Sequence, residues 1–385
     1  MRILLIGGYG EAGRRIAEYA LHYLKNIEIV IAGRNLKRAE QLAHDLNLEL
    51  STDRASARRV DVTNIADLTQ AMREVDFVIN ASGTIRHTES VAKAILASKR
   101  DYLDMQLSTP AKLDVLKVYA NDFKANDICV ITDGGFHPGL PAAMIRYAAA
   151  QLDSLDIGNV YCAFKIDWSK LNLSDDTIYE FVEEFKNFDT THLEDGNWVK
   201  PSWLEATARY EFGAPYGNEV CLPMYLEEFR ELSKQLPALQ SSGLFISGFN
   251  PVTDLLVTPL VMMGLKILPA RLHKNLAQFF HWSLQFSKPP FGIRLIAECK
   301  GTKDEEPATL RISVEHEDGY VLTAIPVVAC LKQYAENGLR EAGLQFQATF
   351  VEPIEFLNDL AQMGLHMEKR LELPYKPRPA EVLAI

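Results

Sequence analysis

Residues 3–6, Ile-Leu-Leu-Ile, form an unbroken apolar run, the pattern of a parallel strand buried on both faces. A glycine-rich turn follows, and helical periodicity then predicts a helix over about residues 11–24. A second apolar run at 27–32 predicts another strand. The rhythm continues with a third strand from near Arg58 to Asn64, a fourth over 76–83, a short fifth over 101–104 and a sixth over 128–132. Helices near 88–98 and 110–126 fall between them. Alternation of this kind predicts an α/β fold with a parallel sheet wound on both faces.

The turn-rich stretch Asp133-Gly-Gly-Phe-His-Pro-Gly-Leu-Pro141 closes the sixth strand and opens a helix running to about Ala150. From roughly 151 to 325 the pattern changes. Alternating segments at 160–168, 293–299 and 311–317 read as strands, with a helix near 177–187 and a long aromatic-rich middle. A second, mixed-sheet α+β unit inserted into the first is the expected arrangement. Residues 320–328 then lead into helical periodicity through Leu339, and a last helix near 353–363 stops before Gly364. The proline-rich stretch 373–380 reads as an extended surface tail.

One segment departs from this scheme. Residues 255–265, Leu-Leu-Val-Thr-Pro-Leu-Val-Met-Met-Gly-Leu, carry no charge, and Lys266 interrupts the run before Ile267-Leu268. It is too short, and too broken by Pro259, to span a bilayer, which takes about 20 apolar residues. A buried interdomain or dimer helix is the simplest reading. An interfacial lipid contact over 255–268, or an apolar lid, is the alternative.

Composition narrows the classes. At 385 residues the chain exceeds one typical core, so two domains are expected. The net charge of −11 argues against a nucleic-acid or anionic-membrane surface, and leaves room only for local basic pockets. Five scattered cysteines, with no C-x-x-C pair, predict neither a disulfide framework nor a zinc site, and no other metal site is expected. The first strand starts at once, so a cytoplasmic protein without a targeting segment is expected.

The chemistry is carried by the first turn. Gly8, Gly10 and Gly13 supply G-x-G-x-x-G between a strand and a helix, the context in which this pattern binds a dinucleotide. Tyr9, Glu11 and Ala12 complete the turn, whose N–H groups and helix dipole would face a pyrophosphate. The end of the second strand selects the cofactor. An NAD site usually places an acid about 20 residues after the glycines. Here Gly33-Arg34-Asn35-Leu36-Lys37-Arg38 holds cations instead, and Arg34 suits a 2′-phosphate, favouring NADP over NAD. Asp61 and Val62 stand where adenine is expected, and Asn80, Ala81, Ser82 and Gly83 where the cofactor crosses the strand end. Gly135 and His137 would face the nicotinamide, although the same stretch also reads as an interdomain hinge.

A hydride acceptor also needs a proton donor. His137 is the first candidate because its ordinary pKa is near neutrality. Tyr102 is the second, with Asp104 orienting either; both also read as satisfied strand-end residues. Arg294 and Lys165 could hold a substrate carboxylate. Gly7, Gly10 and Gly13 fit G-x-x-G-x-x-G as well, the turn of extended short-chain reductases, which need Tyr-x-x-x-Lys on a helix. The pair Tyr161 and Lys165 lies instead in a segment that reads as a strand.

The ordered set of the glycine turn, Ala32-Gly33-Arg34-Asn35, Asp61-Val62, Asn80-Ala-Ser-Gly83, Tyr102-Leu-Asp104, Gly135-Phe-His-Pro-Gly139, Thr323-Ala-Ile-Pro326 and Val351-Glu-Pro-Ile-Glu-Phe-Leu357 resembles the saccharopine dehydrogenase/reductase superfamily. The resemblance covers the chain to about residue 370. It implies a Rossmann-type doubly wound domain (1–138 plus about 326–370), a mixed-sheet substrate and dimerisation domain (139–325) and a tail (371–385). It also implies NAD(P)-dependent oxidoreduction of an imine or amine of the amino-acid or polyamine type, or of an enoyl substrate, by a homodimer acting on a small molecule. The Gly-x-Asp-Pro-Gly pattern of the amino-acid enzymes has His137 at its acidic position, so the saccharopine reaction itself is not implied. A non-catalytic NADP-binding protein, redox-sensing or membrane-associated, is the competing expectation.

Overall fold

The computed structural model describes residues 1–171, 178–179, 182, 185, 188–202 and 205–373. The first sheet is built from β1 (Arg2–Ile6), β2 (Glu28–Gly33), β3 (Ala55–Arg59), β4 (Phe77–Asn80), β5 (Asp101–Asp104) and β6 (Cys129–Thr132), joined late in the chain by β15 (Gly343–Phe346). The spatial order is β15-β6-β5-β4-β1-β2-β3, every pair parallel. The intervening helices are α1 (Glu11–Tyr23), α2 (Leu36–Glu49), α3 (Ile65–Arg73), α4 (Thr88–Ser98) and α5 (Pro110–Ala125).

Alternation along the strands sends side chains to two cores. Ile3 and Leu5 pack with α1 and α2, while Leu4 and Ile6 pack with α3, α4 and α5. The order reverses between β1 and β4, whose shared carboxyl edge is the crevice where such sheets bind ligands.

From α6 (Pro141–Ala149) the chain enters a second sheet. Its strands are β7 (Ser154–Lys165), β8 (His192–Glu194), β9 (Asn197–Val199), β10 (Ala208–Glu211), β11 (Asn218–Met224), β12 (Ser241–Ser247), β13 (Gly292–Lys303), β14 (Glu306–His316) and β16 (His366–Glu372). The main path runs β10-β11-β12-β7-β13-β14-β16, with β8 and β9 pairing to one side of β12. Only β12 and β7 pair in parallel among these described strands, so the sheet is mixed. Its inner face, including Val160, Cys162, Leu295 and Val314, shares one core with the first sheet. Helix α7 (Glu228–Gln235) lies after β11, and α8 (Thr258–Ile267) and α9 (His273–Leu284) form a hairpin before β13.

Helix α10 (Gly319–Glu336) returns the chain and packs along α1; α11 (Gln347–Phe350) and α12 (Pro353–Gln362) follow β15. Two expectations change. The third strand is Ala55–Arg59, earlier than its expected span, because the Asp61 carboxylate turns the chain by accepting from the Thr63 N–H. Residues 366–372 pair with β14 rather than staying with the first domain, because their backbone completes the edge of the second sheet. The helix expected near 177–187 lies mostly outside the described residues, as does the tail from 374 onward. No helix among the described residues is long and apolar enough to cross a membrane. All five cysteines are buried thiols.

The returning segment is fastened by a buried carboxylate. Asp101, 7 % exposed, accepts from the Cys129 N–H (2.8 Å), the Tyr334 hydroxyl (2.6 Å) and Arg340 Nε (2.5 Å). It thereby joins β5 and β6 to the end of α10 and the approach to β15. Asp101→Ala removes the acceptor of all three bonds and is expected to cost about 3 kcal/mol. Urea unfolding checks this as a lower midpoint with an unchanged slope.

Candidate functional site

The glycine turn is held by its own backbone. Gly7 N–H donates to Ala32 O (2.8 Å) and Gly10 N–H to Gly7 O (2.9 Å). A Cβ on Gly13 would stand 2.3 Å from Gly7 O, so only glycine lets α1 start this close to β1. Gly10 caps α1 without a side chain to accept the first-turn N–H groups of Glu11, Ala12 and Gly13. Those donors and the helix dipole fit an anion such as a pyrophosphate. Gly7 also lies against the β4 end, where its added Cβ would meet Ser82 Cβ at 2.8 Å.

Tyr9 folds over Gly33, whose added Cβ would strike the ring at 2.5 Å. The Tyr9 hydroxyl accepts from the Asn35 N–H (3.1 Å), and the Arg38 guanidinium lies 4.8 Å from the ring centre. Asn35 is committed as the cap of α2, its Oδ1 accepting from the Arg38 N–H at 3.2 Å. Arg34 is exposed at the end of β2, and exposed Arg59 ends β3 in register with Gly33. Asp61 lies in the field of both cations; Thr63, through its N–H and hydroxyl, is the leading cause that holds this carboxyl below its usual range. Arg59 escaped the sequence reading because its partners come from the neighbouring strand end. Val62 follows Asp61, half-buried against the α3–α4 face.

At the β4 end, fully buried Asn80 donates to Thr84 Oγ1 (2.9 Å) and to Tyr102 Oη (3.0 Å). Its Oδ1 accepts from the Ser82 N–H (3.2 Å) and hydroxyl (2.6 Å). Asn80 therefore shapes the Ala81-Ser82-Gly83 turn and has no free group for a ligand. Gly83 faces open space.

Tyr102 and Asp104 do not join His137. Tyr102 is 2 % exposed beneath the Asn80–Thr84 turn, and burial raises its phenol well above the ordinary range. Asp104 accepts from Lys112 Nζ (2.7 Å), Thr132 Oγ1 (3.2 Å) and the Gln106 N–H (3.1 Å). Lys112 has no exposed surface and also lies 3.5 Å from Asp133. Asp133 accepts from the Ser108 hydroxyl (2.6 Å), and burial, opposed by Lys112, pushes its carboxyl up to about 6. Tyr102 and Asp104 are thus parts of a buried polar floor below the crevice. A lysine two residues after Pro110 reads as helix surface in the sequence, so Lys112 gave no signal.

The Gly135–Gly139 turn is clamped from α11. Gln347, fully buried, accepts from the Gly135 N–H (3.3 Å) and donates to Gly135 O (3.2 Å) and Gly139 O (3.3 Å). From the other side Glu228 accepts from the Gly139 N–H (2.6 Å) and Ala142 N–H (2.9 Å). His137 is half-buried on this turn, its ring centre 4.1 Å from Phe136 and 5.5 Å from Phe164. Rings continue from Phe164 to Trp168 (6.4 Å), Phe249 (5.7 Å) and Phe280 (5.4 Å).

The proposed carboxylate holders are engaged elsewhere. Lys165 pairs with Glu219 at 2.9 Å, on the opposite face of β7 from Phe164. Arg294 pairs with Glu315 and donates to Phe212 O and Ala214 O (both 2.9 Å). Tyr161 and Lys165 lie on one strand, Ser154–Lys165, and Tyr161 stacks on Tyr210 at 3.8 Å.

Apolar surroundings push His137 down to about 4, and among the described residues its ring has no hydrogen-bonding partner. Its folded pKa lies below the ordinary 6.5, so below that pH the unfolded chain takes up the extra proton. The resulting contribution to stability is full above pH 6.5 and lost as pH falls through 4. The imidazole NMR signals of His137 are therefore expected to stay flat from pH 8 to 5. His137→Gln should lose less stability than the natural chain between pH 7 and 4; titration near 6.5 would contradict the burial argument.

Residues 3–130 match the family model described as the saccharopine dehydrogenase NADP binding domain. Saccharopine dehydrogenase (L-Glu forming) from Saccharomyces cerevisiae, solved in its apo form, superposes with a TM-score of 0.67. That likeness spans 96 % of this chain and 99 % of the yeast chain at 14 % identity, and it is a likeness of fold. A segment of 111 residues is 32 % identical to glutamyl-tRNA reductase 2 of Flavobacterium johnsoniae. The match covers 29 % of this chain and only 22 % of that relative's length.

Proposed function

We propose that this chain, whose residues 3–130 match the saccharopine dehydrogenase NADP binding domain, transfers a hydride between NADP(H) and an uncharged, apolar-bodied acceptor, an enoyl or imine compound. The observation that carries the reading is the pairing of two unlike surroundings along one carboxyl edge. Cations gather at the ends of β2 and β3, and aromatic rings gather beside β6. The absence of NAD's usual acid and the presence of Arg34, Arg38 and Arg59 support recognition of a 2′-phosphate.

Bound NADPH supplies the hydride. In this reading the first-turn N–H groups of α1 hold the pyrophosphate, and Asp61 and Val62 meet the adenine. Ala81, Ser82 and Gly83 leave room for the ribose. Gly135, without a side chain, permits close approach beside His137. The neutral imidazole donates an N–H hydrogen bond to the acceptor. Negative charge developing there raises the His137 pKa, so the ring takes a proton from solvent and, as imidazolium, passes one on to the reduced acceptor, returning to its neutral form. Tyr102 and Asp104 position the strand ends from below. Phe136 and Phe164 keep water from the reacting face. The commitment of Lys165 and Arg294 to internal pairs favours an acceptor without a carboxylate near its reacting bond.

Titration with NADPH and NADH, read by energy transfer from the tryptophans, tests the cofactor side. Arg34→Ala and Arg59→Ala should each weaken NADPH roughly tenfold and leave NADH nearly unchanged. Equal losses for both would sink the 2′-phosphate role. His137→Ala should slow reduction of enoyl or imine acceptors roughly 10²-fold with unaltered NADPH affinity. Intact binding with no transfer to any acceptor would instead favour a non-catalytic NADP-binding protein.

A further inference from the structure

Large apolar side chains exposed to solvent are concentrated in one place. Of nineteen such residues among those described, eleven fall between 252 and 286, on the α8–α9 hairpin and its flanks. Leu255 is 75 % exposed, Ile267 69 %, Leu256 62 % and Met263 53 %. Trp282, 51 % exposed, stacks with Phe279 at 5.8 Å and meets Phe286 edge-on at 4.9 Å, giving an aromatic flank. The opposite faces of the same helices are also apolar: Val261, Leu265, Phe280 and Leu284 form a buried core with Trp168. A surface helix with apolar residues on both faces lacks the polar side that water requires. A patch of this extent marks an interaction surface.

Charge identifies the occupant. Residues 252–288 carry Lys266, Arg271 and Lys288, all exposed. The single acid of this stretch, Asp254, is turned inward and accepts from the Phe249 N–H at 3.0 Å. The hairpin is thus a cationic, apolar protrusion on a chain of net charge −11. A second copy placed symmetrically on this face would set like cations against one another. An anionic lipid surface matches both features, its headgroups taking the cations and its acyl layer the side chains. With no helix among the described residues long and apolar enough to cross, insertion would be limited to the interface.

We infer that the α8–α9 hairpin docks the protein reversibly on an anionic lipid surface. The hairpin's buried face runs through Phe280, Phe249, Trp168 and Phe164 to His137, so the docked surface lies over the aromatic side of the crevice. This docking stands on the hairpin alone and requires no particular reaction.

Flotation of the full chain with vesicles tests it. Phosphatidylcholine vesicles containing phosphatidylglycerol should carry the protein upward, vesicles of phosphatidylcholine alone much less, and added salt should release it. Lys266→Glu with Arg271→Glu should weaken binding more than tenfold, since each cation contributes roughly fivefold near such a surface. Leu255→Asp with Trp282→Asp should abolish flotation while NADPH binding is retained, which separates lost docking from lost folding. No flotation with either vesicle would overturn the inference, as would equal binding to both. A dimer in sedimentation velocity that the two aspartates dissolve, with no flotation, would assign the face to a second copy instead.

Discussion

A lysine with no exposed surface fixes the floor of the crevice. Taking an ammonium from water costs several kcal/mol unless opposite charge and hydrogen bonds replace the solvent. Lys112 finds both only where β5 and β6 lie side by side, with Asp104 ending one strand and Asp133 following the other. Gln106, Ser108 and Thr132 fill the remaining positions of the network. The arrangement therefore rewards one register of two strands and one path of the loops that leave them. Its cost is visible: Asp133 takes a left-handed backbone conformation, φ +57°, and its Oδ2 has no partner. The Gly134 N–H then reaches Asp104 O at 2.8 Å and commits the following turn.

That turn is where the two sheets meet, and its restraint changes the meaning of its glycines. Gly and Pro at 133–141 suggest a hinge, yet Gln347 bonds the turn at three points and Glu228 at a fourth. Glu228 also accepts from Ala142 at the start of α6, and burial pushes its carboxyl up to about 8. A carboxyl accepting two N–H groups while surrounded by apolar material is bound to the fold on both sides of the junction. Closure about this point would break those bonds, so the turn holds the two sheets together rather than hinging them.

The legible parts of the sequence were those fixed by local constraints. Parallel strands buried on two faces run apolar, and the glycine turn needs its residues within seven positions, so β1, β2, β4 and β6 were readable. The edge strand β3 was not, because Ala-Ser-Ala-Arg-Arg carries little apolar signal and its pairing partner lies elsewhere. Arg59, Lys112 and Gln347 were invisible for the same reason: each acquires its role from a strand end or loop far away in sequence. Tyr102 and Asp104 read in the sequence both as a proton donor with its orienting acid and as satisfied strand-end residues, and their burial favours the second. A strand end alternates between facing ligand and facing floor, and a short apolar run does not say which.

The distribution of charge gives the last step. A chain with 51 acids and 40 bases needs a local reason to leave cations without nearby carboxylates. Many bases here are absorbed in pairs, such as Arg311 with Glu298 and Glu372. Two groups stand apart. At the ends of β2 and β3, Arg34 and Arg59 both act on Asp61, whose carboxylate is already occupied by Thr63. On the hairpin, Lys266, Arg271 and Lys288 are exposed and Asp254 is turned into the protein. The first group surrounds a glycine turn and helix start suited to a pyrophosphate; the second surrounds bare leucine, isoleucine and tryptophan. The same phosphate chemistry satisfies both, once as a dissolved nucleotide and once as a headgroup layer, and the apolar surroundings decide between them.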